Sequence, residues 1–494
     1  MKSNKKVSLL FLIFVPFVCL GQWSQLGSDI DGEFAGDRSG TSVSLNGDGT
    51  TLAVGAILNN DGANNGGQVR VFDWNGSSWS QKGADIDGTG EGDVFGLSVD
   101  ISTNGNVVVV GAPSTFNPSY STGTTAPGYA RVYGWDGTNW IQRGIEIIGE
   151  GFDDTAGKSV SINADGTIIA IGAGSNFANG IQSGHTRIFQ WNGTSWTQIG
   201  TDIDGESEGD LSGNSVRLNA AGTIVAIGAT GNEVNGPNSG HVRIYEWNGS
   251  EWLQKGIDLD GLAFDRFGNS VSLDETGTTL SAGANGSTFI GYTKVYYWNG
   301  NNWIQKGTTI IGDTDLDFSG FAGSLNNDGN SIAIGAFGNN NGYARVYSFD
   351  GTDWVQQGSD ILGEAEFDQF GTSISLSGNG TIVAIGGQFN DGNGNNSGHV
   401  RVYENLSTAD IHDTESRYSF QYFPNPTNSM LYIKDLKISA TVRLLSLDGK
   451  VILSTKINKN DANIDLRDLP SGIYILEIKS SEFFNSVKII KEES

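Results

Sequence analysis

Two kinds of residue in this chain have the type and spacing to do chemistry, and carboxylates come first. Asp29-Ile30-Asp31, Asp85-Ile86-Asp87, Asp202-Ile203-Asp204 and Asp258-Leu259-Asp260 are each followed by a further acid, Asp37, Asp93, Asp210 and Asp265. In an extended strand, residues two apart project to the same side. Such a pair joined by a loop carboxylate offers the oxygen donors that a hard cation such as calcium takes. Three other copies of the segment lose the pair, reading Glu146-Ile147-Ile148, Thr309-Ile310-Ile311 and Asp360-Ile361-Leu362. Solvated loop carboxylates are therefore the plainer reading. A calcium site on Asp29, Asp31, Asp37, Asp85, Asp87, Asp93, Asp202, Asp204 and Asp210 is the sharper one. No cofactor is required by the rest of the sequence.

The second kind is histidine. His185, His241 and His399 occupy one repeated position, just ahead of a Thr/Val-Arg strand, and His412 stands apart. A catalytic histidine should be unique to one copy, so the repeated three read as structural. There is no Gly-x-Ser-x-Gly elbow and no glycine loop set between a strand and a helix to hold phosphate.

The elements that must position these groups are repeats. A unit typified by Ser215-Val-Arg-Leu-Asn-Ala-Ala-Gly-Thr-Ile-Val-Ala-Ile-Gly-Ala229 and His241-Val-Arg-Ile-Tyr-Glu-Trp247 recurs seven times. Its first strands start at Ser42, Ser98, Ser159, Ser215, Ser270, Ala322 and Ser373. Each unit of about 55 residues reads as four short strands with no amphipathic helix, the size of a propeller blade. Asn75-Gly76, Asp136-Gly137, Asn192-Gly193 and Asn248-Gly249 supply tight hairpins between the third and fourth strands. Trp74/Trp79, Trp135/Trp140, Trp191/Trp196, Trp247/Trp252, Trp298/Trp303 and Phe349/Trp354 flank those turns, a pattern for cross-strand packing rather than a sugar platform.

The chain opens with an orphan fourth strand, Trp23 to Gly27, while the seventh unit ends at Glu404 without one. Pairing the two predicts an all-β, seven-bladed β-propeller over residues 22–408, closed by its N-terminal strand. In such a ring the loop into each first strand and the loop between the second and third strands share one face. The latter varies most among copies, and the loop around Phe116 and Tyr120 is the most individual, so those two are the expected ligand contacts.

Phe95-Gly96-Leu97-Ser98 followed by Val110-Gly111-Ala112-Pro113 resembles the FG-GAP repeat of integrin α-subunit propellers, with related pieces at Phe267-Gly268 and Phe370-Gly371. Many such repeats carry a calcium loop, Asp-x-Asp-x-Asp-Gly-x-x-Asp, in the first hairpin. Here Asn46-Gly47-Asp48-Gly49 and Asn163-Ala164-Asp165-Gly166 lack its closing carboxylate, which leaves ordinary glycine turns.

Beyond a linker at 409–418 the composition changes. Strand-like runs over 419–494 suggest a small, immunoglobulin-like β-sandwich. Phe423-Pro424-Asn425-Pro426-Thr427, Asp448-Gly449-Lys450, Gly472-Ile473-Tyr474 and Lys488-Ile489-Ile490-Lys491 strongly resemble the type A sorting domain of the Bacteroidota type IX secretion system. The resemblance implies that this domain, through Pro424, Asn425, Pro426, Gly472, Tyr474, Lys488 and Lys491, engages the type IX machinery.

The first 21 residues fit that route. Lys2, Lys5 and Lys6 precede an apolar run from Val7 to Leu20, a secretory signal peptide whose removal also discards the sole cysteine, Cys19. No other stretch is long and apolar enough to cross a bilayer as a helix. Residues 22–408 carry 15 Lys and Arg against 43 Asp and Glu, which disfavours nucleic acid and anionic lipid. The expected protein is secreted or held at the outer-membrane surface, and it binds a glycan or an extracellular protein without catalysis. A polysaccharide-degrading enzyme, using paired carboxylates near the channel, is the alternative.

Overall fold

The structure is a computed structural model that describes residues 23–113, 126–286, 290–338, 341–406, 421–434, 439–446, 450–457, 462–479 and 484–492. The predicted signal peptide, Phe116, Tyr120, the linker and the Asp448-Gly449 turn lie outside the described residues. Two compact units result, one ending at Leu406 and one beginning at Ser407.

In the first unit the described residues form seven antiparallel sheets of one design. Ser39–Leu45, Thr51–Ala56, Gln68–Trp74 and Trp79–Gln81 make one of them, in sequence order. The fourth strand is broken. After Gln81 the chain loops out, and Ile86–Asp87 returns to the start of the third strand, placing Ile86 opposite Val69 and Asp87 opposite Gln68. The break is what carries each Asp-x-Asp segment back to the first residue of strand three.

The sheets close into a ring as the offset of the repeat requires. Trp23–Gln25 pairs with His399–Asn405, and Ile30–Asp31 continues along the same edge, with Asp31 opposite His399. The tips of the seven first hairpins form a circle of backbone hydrogen bonds. Gly47 N donates to Thr103 O, Thr103 N to Ala164 O, Ala164 N to Ala220 O and Ala220 N to Glu275 O. Glu275 N then donates to Asn327 O, Asn327 N to Gly378 O, and Gly378 N back to Gly47 O, all at 2.8–3.0 Å.

Burial lies between neighbouring sheets. Ala53, Val69 and Val71 of one sheet pack on Val99, Val108 and Val110 of the next. The approach is tightest at the glycine of each second strand: a Cβ on Gly111 would sit 2.1 Å from Gly157 O of the following blade. Only glycine allows that spacing, which is the physical content of the repeated Gly-Ala. The tryptophan hairpins behave as their spacing predicts, ring centroids 5.2–5.5 Å apart. The second tryptophan also fastens its blade to the previous one: Trp79 Nε1 donates to Leu26 O at 2.9 Å and Trp140 Nε1 to Lys82 O at 2.8 Å. Trp23 does the same for the closing strand, donating to Gln357 O at 2.8 Å.

The second unit contains a three-stranded sheet (Gln421–Phe423, Met430–Lys434, Ala462–Asp465) and a four-stranded one (Val451–Ile457, Ala440–Ser446, Gly472–Lys479, Phe484–Lys491). Leu431, Ile433 and Ile464 from the first share a core with Val442, Leu444, Leu476 and Ile489 from the second, giving the small β domain expected.

Candidate functional site on the loop face

The loop entering each first strand and the loop between strands two and three meet on one face, bonded to each other. Gly92 N donates to Asn64 O and Val94 N to Asn65 O; Gly209 N donates to Ile181 O and Leu211 N to Gln182 O. Exposed apolar side chains crown these loops, among them Phe34, Phe152, Phe177, Val234 and Phe367, the last 79 % exposed. Carboxylates surround them. One depression of about 510 Å³ at a blade junction is lined by Glu364, Glu366, Phe367, Phe389 and Asp391. A second, of about 570 Å³, is lined by Asp313, Asp360, Leu362 and Glu366.

The loop acids that spacing offered as third cation ligands have another role. Asp37, Asp93 and Asp210 accept from backbone N–H groups of their own turns. Asp37 takes Phe34 N, Asp93 takes Gly90 N, and Asp210 takes both Glu206 N and that of Ser207, at 2.8–2.9 Å. Asp154, Asp265, Asp317 and Asp368 do the same in the other copies. The residue after each cap holds a positive φ, from 49° at Val94 to 59° at Thr155, which turns the chain into the first strand. Seven repetitions make that backbone strain a property of the fold rather than of one site.

Asp29, Asp85 and Asp202 each accept from the glutamine four residues earlier, at 2.5–2.6 Å. Asp31, Asp87 and Asp204 lie further in, and burial, then the neighbouring aspartate for Asp31 and Asp204, pushes their carboxyls above the ordinary range. Among the described residues, the ligand clusters whose donor atoms fall within 4.8 Å of one another do not include the three sequence trios. Asp29 instead groups with Glu364 and His399, and Asp202 with Glu150 and His185.

A sequence alternation explains the incomplete Asp-x-Asp pattern. Where the second aspartate is present, the residue opposite it is His or Gln: His399 faces Asp31, Gln68 Asp87, His185 Asp204 and His241 Asp260. Where the pair is lost, a tyrosine stands there instead: Tyr129 faces Ile148, Tyr292 Ile311 and Tyr343 Leu362. Those hydroxyls reach the turn caps, donating to Asp93, Asp265 and Asp317 at 2.6–2.9 Å. Asn59, Asn232 and Asn390 bind the caps in blades without the tyrosine. The three histidines are fully buried, and burial holds them below the usual imidazole range, His241 at about 4.

Inside the ring, one position carries Ser44, Ser161, Ser272, Ser324 and Ser375 but Asp100 and Arg217 in the remaining two copies. Each hydroxyl accepts the next blade's backbone N–H, as from Leu376 N to Ser324 Oγ at 3.0 Å. Asp100 accepts Ile162 N and the Ser44 and Ser161 hydroxyls. Arg217 Nη1 lies 3.1 Å from both of its carboxylate oxygens. Only about 80 Å³ of cavity remains beside this pair. The first-hairpin turns below it are held by their own side chains, Asn46 Oδ1 accepting Thr51 N and Asp48 Oδ1 accepting Thr50 N.

In the C-terminal unit the motif residues converge. Asn425 Oδ1 accepts Ile490 N at 2.9 Å and Asn425 Nδ2 donates to Lys488 O at 2.7 Å, latching the Pro-Asn-Pro loop onto the last strand. Gly472 pairs with Lys491 and Tyr474 with Ile489. Tyr474 OH donates to Pro470 O at 2.8 Å.

Comparison with known proteins agrees with both units. Residues 421–492 match the family model of the secretion system C-terminal sorting domain, and residues 363–403 match that of the FG-GAP repeat. No curated protein sequence matches. Among solved structures, Raptor of Chaetomium thermophilum is similar at TM-score 0.50 and 12 % identity, over 78 % of this chain and 29 % of that one. Hydrazine synthase of Kuenenia stuttgartiensis gives 0.46 and 10 %, over 73 % and 94 %. PorZ of Porphyromonas gingivalis, an essential surface component of its type-IX secretion system, gives 0.35 and 11 %, over 90 % and 64 %. Likeness at such identities concerns the fold alone. The sorting domain marks the protein as secreted or cell-surface and as a client of the type IX machinery. Among the described residues no helix is long and apolar enough to cross a membrane.

Proposed function

We propose that this secreted propeller is a non-catalytic binding module that takes an extracellular glycan or protein on its loop face. The observation that carries the reading is the difference in lining between the central channel and the loop face. Beside the Asp100–Arg217 pair the channel keeps only about 80 Å³, and its mouth at the first-hairpin tips, a depression of about 850 Å³, is lined by Gly47, Asp48, Thr103, Asn104 and Asn379 without an aromatic side chain. The loop face offers depressions of about 510 and 570 Å³ at blade junctions, with protruding Phe367 and Phe152 beside carboxylates. Phenylalanines among acids favour a protein surface carrying apolar and basic groups, since charge complementarity steers such encounters.

The test is to incubate the secreted protein with a panel of extracellular polysaccharides and basic surface proteins, measuring both retention and new chain ends. Retention lost in Phe367→Ser and Phe152→Ser, with no new chain ends, supports the module. New chain ends that disappear when a carboxylate at a blade junction is neutralised would establish the polysaccharide-degrading enzyme instead.

A further inference from the structure

Three blade junctions share a constellation of side chains, of which only Glu364 also lines a depression of the loop face. In each, a histidine opens the third strand, an aspartate precedes the returning half of the fourth, and a glutamate arrives from the preceding blade. His185 Nδ1 lies 3.6 Å from Asp202 Oδ2 and 3.9 Å from Glu150 Oε2. His241 Nδ1 lies 3.9 Å from both Asp258 Oδ2 and Glu206 Oε2, and here the donors gather as two groups about the histidine, Glu206 with Asp210 and Asp258 with Asp260. His399 Nδ1 lies 3.6 Å from Asp29 Oδ2, and Glu364 completes that group.

Carboxylates gathered on an acidic surface would mean little. The imidazoles set these junctions apart: all three are 0 % exposed, and neither ring nitrogen of any of them has a hydrogen-bond partner. Buried polar atoms are satisfied in the great majority of cases, so the three Nδ1 atoms, each facing carboxylates at an equivalent place, ask for a missing partner. Asp204 Oδ1 and Asp260 Oδ1, directly across the ladder from His185 and His241, are buried and unpartnered as well. The related blade without histidine differs at this point, because Gln68 Nε2 donates to Asp87 Oδ1 at 3.2 Å.

The orphan atoms cannot satisfy one another. A neutral imidazole could donate to one carboxylate, yet the nearest oxygens stand beyond hydrogen-bond reach and several acids compete for the same space. Glu150 and Glu206 are already oriented, with Oε1 toward the neighbouring arginine (Arg187 at 3.9 Å, Arg243 at 3.7 Å) and Oε2 toward the histidine. A central cation fits the arrangement. An ion bound at about 2.0–2.1 Å from nitrogen and about 2.0–2.2 Å from oxygen bridges donors up to about 4 Å apart. One imidazole with two or three carboxylates is a borderline donor set, suited to zinc and its first-row neighbours rather than to calcium.

We propose that the junctions at His185, His241 and His399 are three equivalent sites for a divalent transition-metal ion of the zinc type, each ion tying one blade to the glutamate of the blade before it. The ions have a way in. Glu150 and Glu206 are 49 % and 46 % exposed, so each site opens onto the loop face through its glutamate and keeps room for solvent as a further ligand.

The experiment is zinc titration of the untagged secreted protein by calorimetry, with metal content measured after gel filtration. About three zinc ions per chain are expected. One should be lost in each of His185→Gln, His241→Gln and His399→Gln, substitutions that copy the residue the chain itself uses at position 68. Thermal melting with zinc should rise in the parent and rise less in each variant. No retained zinc, or a stoichiometry unchanged in the triple variant, overturns the proposal. Cobalt substitution of the parent protein gives a reading that needs no variant: visible bands of nitrogen-ligated cobalt saturating near three equivalents support it, and a spectrum of aquated cobalt throughout refutes it. Either result is independent of whether any ligand binds the loop tips.

Discussion

Asp100 and Arg217 stand two blades apart and 117 residues apart in sequence, yet Arg217 Nη1 is 3.1 Å from each oxygen of the Asp100 carboxylate. They are the two departures from a ring of inward serines. Asp100 is almost wholly buried, while Arg217 keeps 41 % of its side chain in solvent. The aspartate also replaces a serine acceptor, taking Ile162 N at 2.9 Å, whereas the arginine has no acceptor to offer.

The pair should therefore behave as a unit. Arg217→Ser leaves a buried carboxylate without its counter-charge, and Asp100→Ser leaves a cation beside serines. Each single change should cost about 1–3 kcal/mol, below the value for a fully buried pair because the arginine is part-solvated. The double change restores the serine pattern of the other five blades and should recover most of the loss. Denaturant melts of the four proteins give the coupling directly; additive losses would show that the two residues act separately.

Ring closure sets a second expectation. Trp23 Nε1 to Gln357 O is the counterpart of Trp79 to Leu26 O, so Trp23→Phe and Trp79→Phe should each cost about 1 kcal/mol. Removing residues 22–32 is different in kind. It strips the edge of His399–Asn405, whose partners are Trp23–Gln25 and Ile30–Asp31. The propeller should then melt far lower and associate through the opened edge. Light scattering and thermal melting check this, and a truncated protein that stays monomeric with an unchanged Tm would contradict it.

Much of this architecture was legible because its signals are local or repeated. Asn-Gly hairpins, alternating strands and the orphan strand at Trp23 each point to one feature, and seven copies reinforce them. The Gly-Ala of the second strand was visible, but its reason, the 2.1 Å approach at Gly111, exists only between blades. The carboxylate trios could not be judged from spacing, since the broken fourth strand sends the second aspartate back to strand three while the loop acid turns to cap its own turn. Asp100 and Arg217 were visible as Ser-Val-Asp-Ile and Ser-Val-Arg-Leu among Ser-Val-Ser-Leu copies. Their mutual contact was not, because it crosses the ring. The exchange of His/Asp for Tyr/Ile was equally visible in the sequence, and needed only the strand register to become a pair.

Alkaline titration tests the buried tyrosines. Burial raises Tyr296 and Tyr403 to about 12, and Tyr129, Tyr292 and Tyr343, donating to Asp93, Asp265 and Asp317, are raised further. A folded-state value above the unfolded value of about 10 means that the contribution to stability is complete below pH 10 and lost as pH rises toward 12. Absorbance at 295 nm should show these residues silent at about pH 10.5 and released with unfolding at higher pH. Tm should fall steadily across the same window. Full ionisation near pH 10 with an unchanged Tm would refute the assignment.

The sorting domain supplies the last prediction. Asn425 makes two hydrogen bonds to the final strand, to Ile490 N and Lys488 O, and backbone bonds from Thr427 N to Ile490 O and Glu492 N to Thr427 O extend the latch. Asparagine is needed because one side chain must both donate and accept. Asn425→Ala loses both bonds, at roughly 1–2 kcal/mol, and Asn425→Asp should cost at least as much, because it keeps the acceptor but sets a carboxylate oxygen against Lys488 O. If the secretion machinery recognises the latched loop, both variants accumulate in the periplasm in the same order, and the propeller in them stays folded. Fractionation of cells, with a melt of the retained protein, measures this. Normal surface delivery of Asn425→Ala would mean that the latch serves stability alone and that recognition lies elsewhere on the domain.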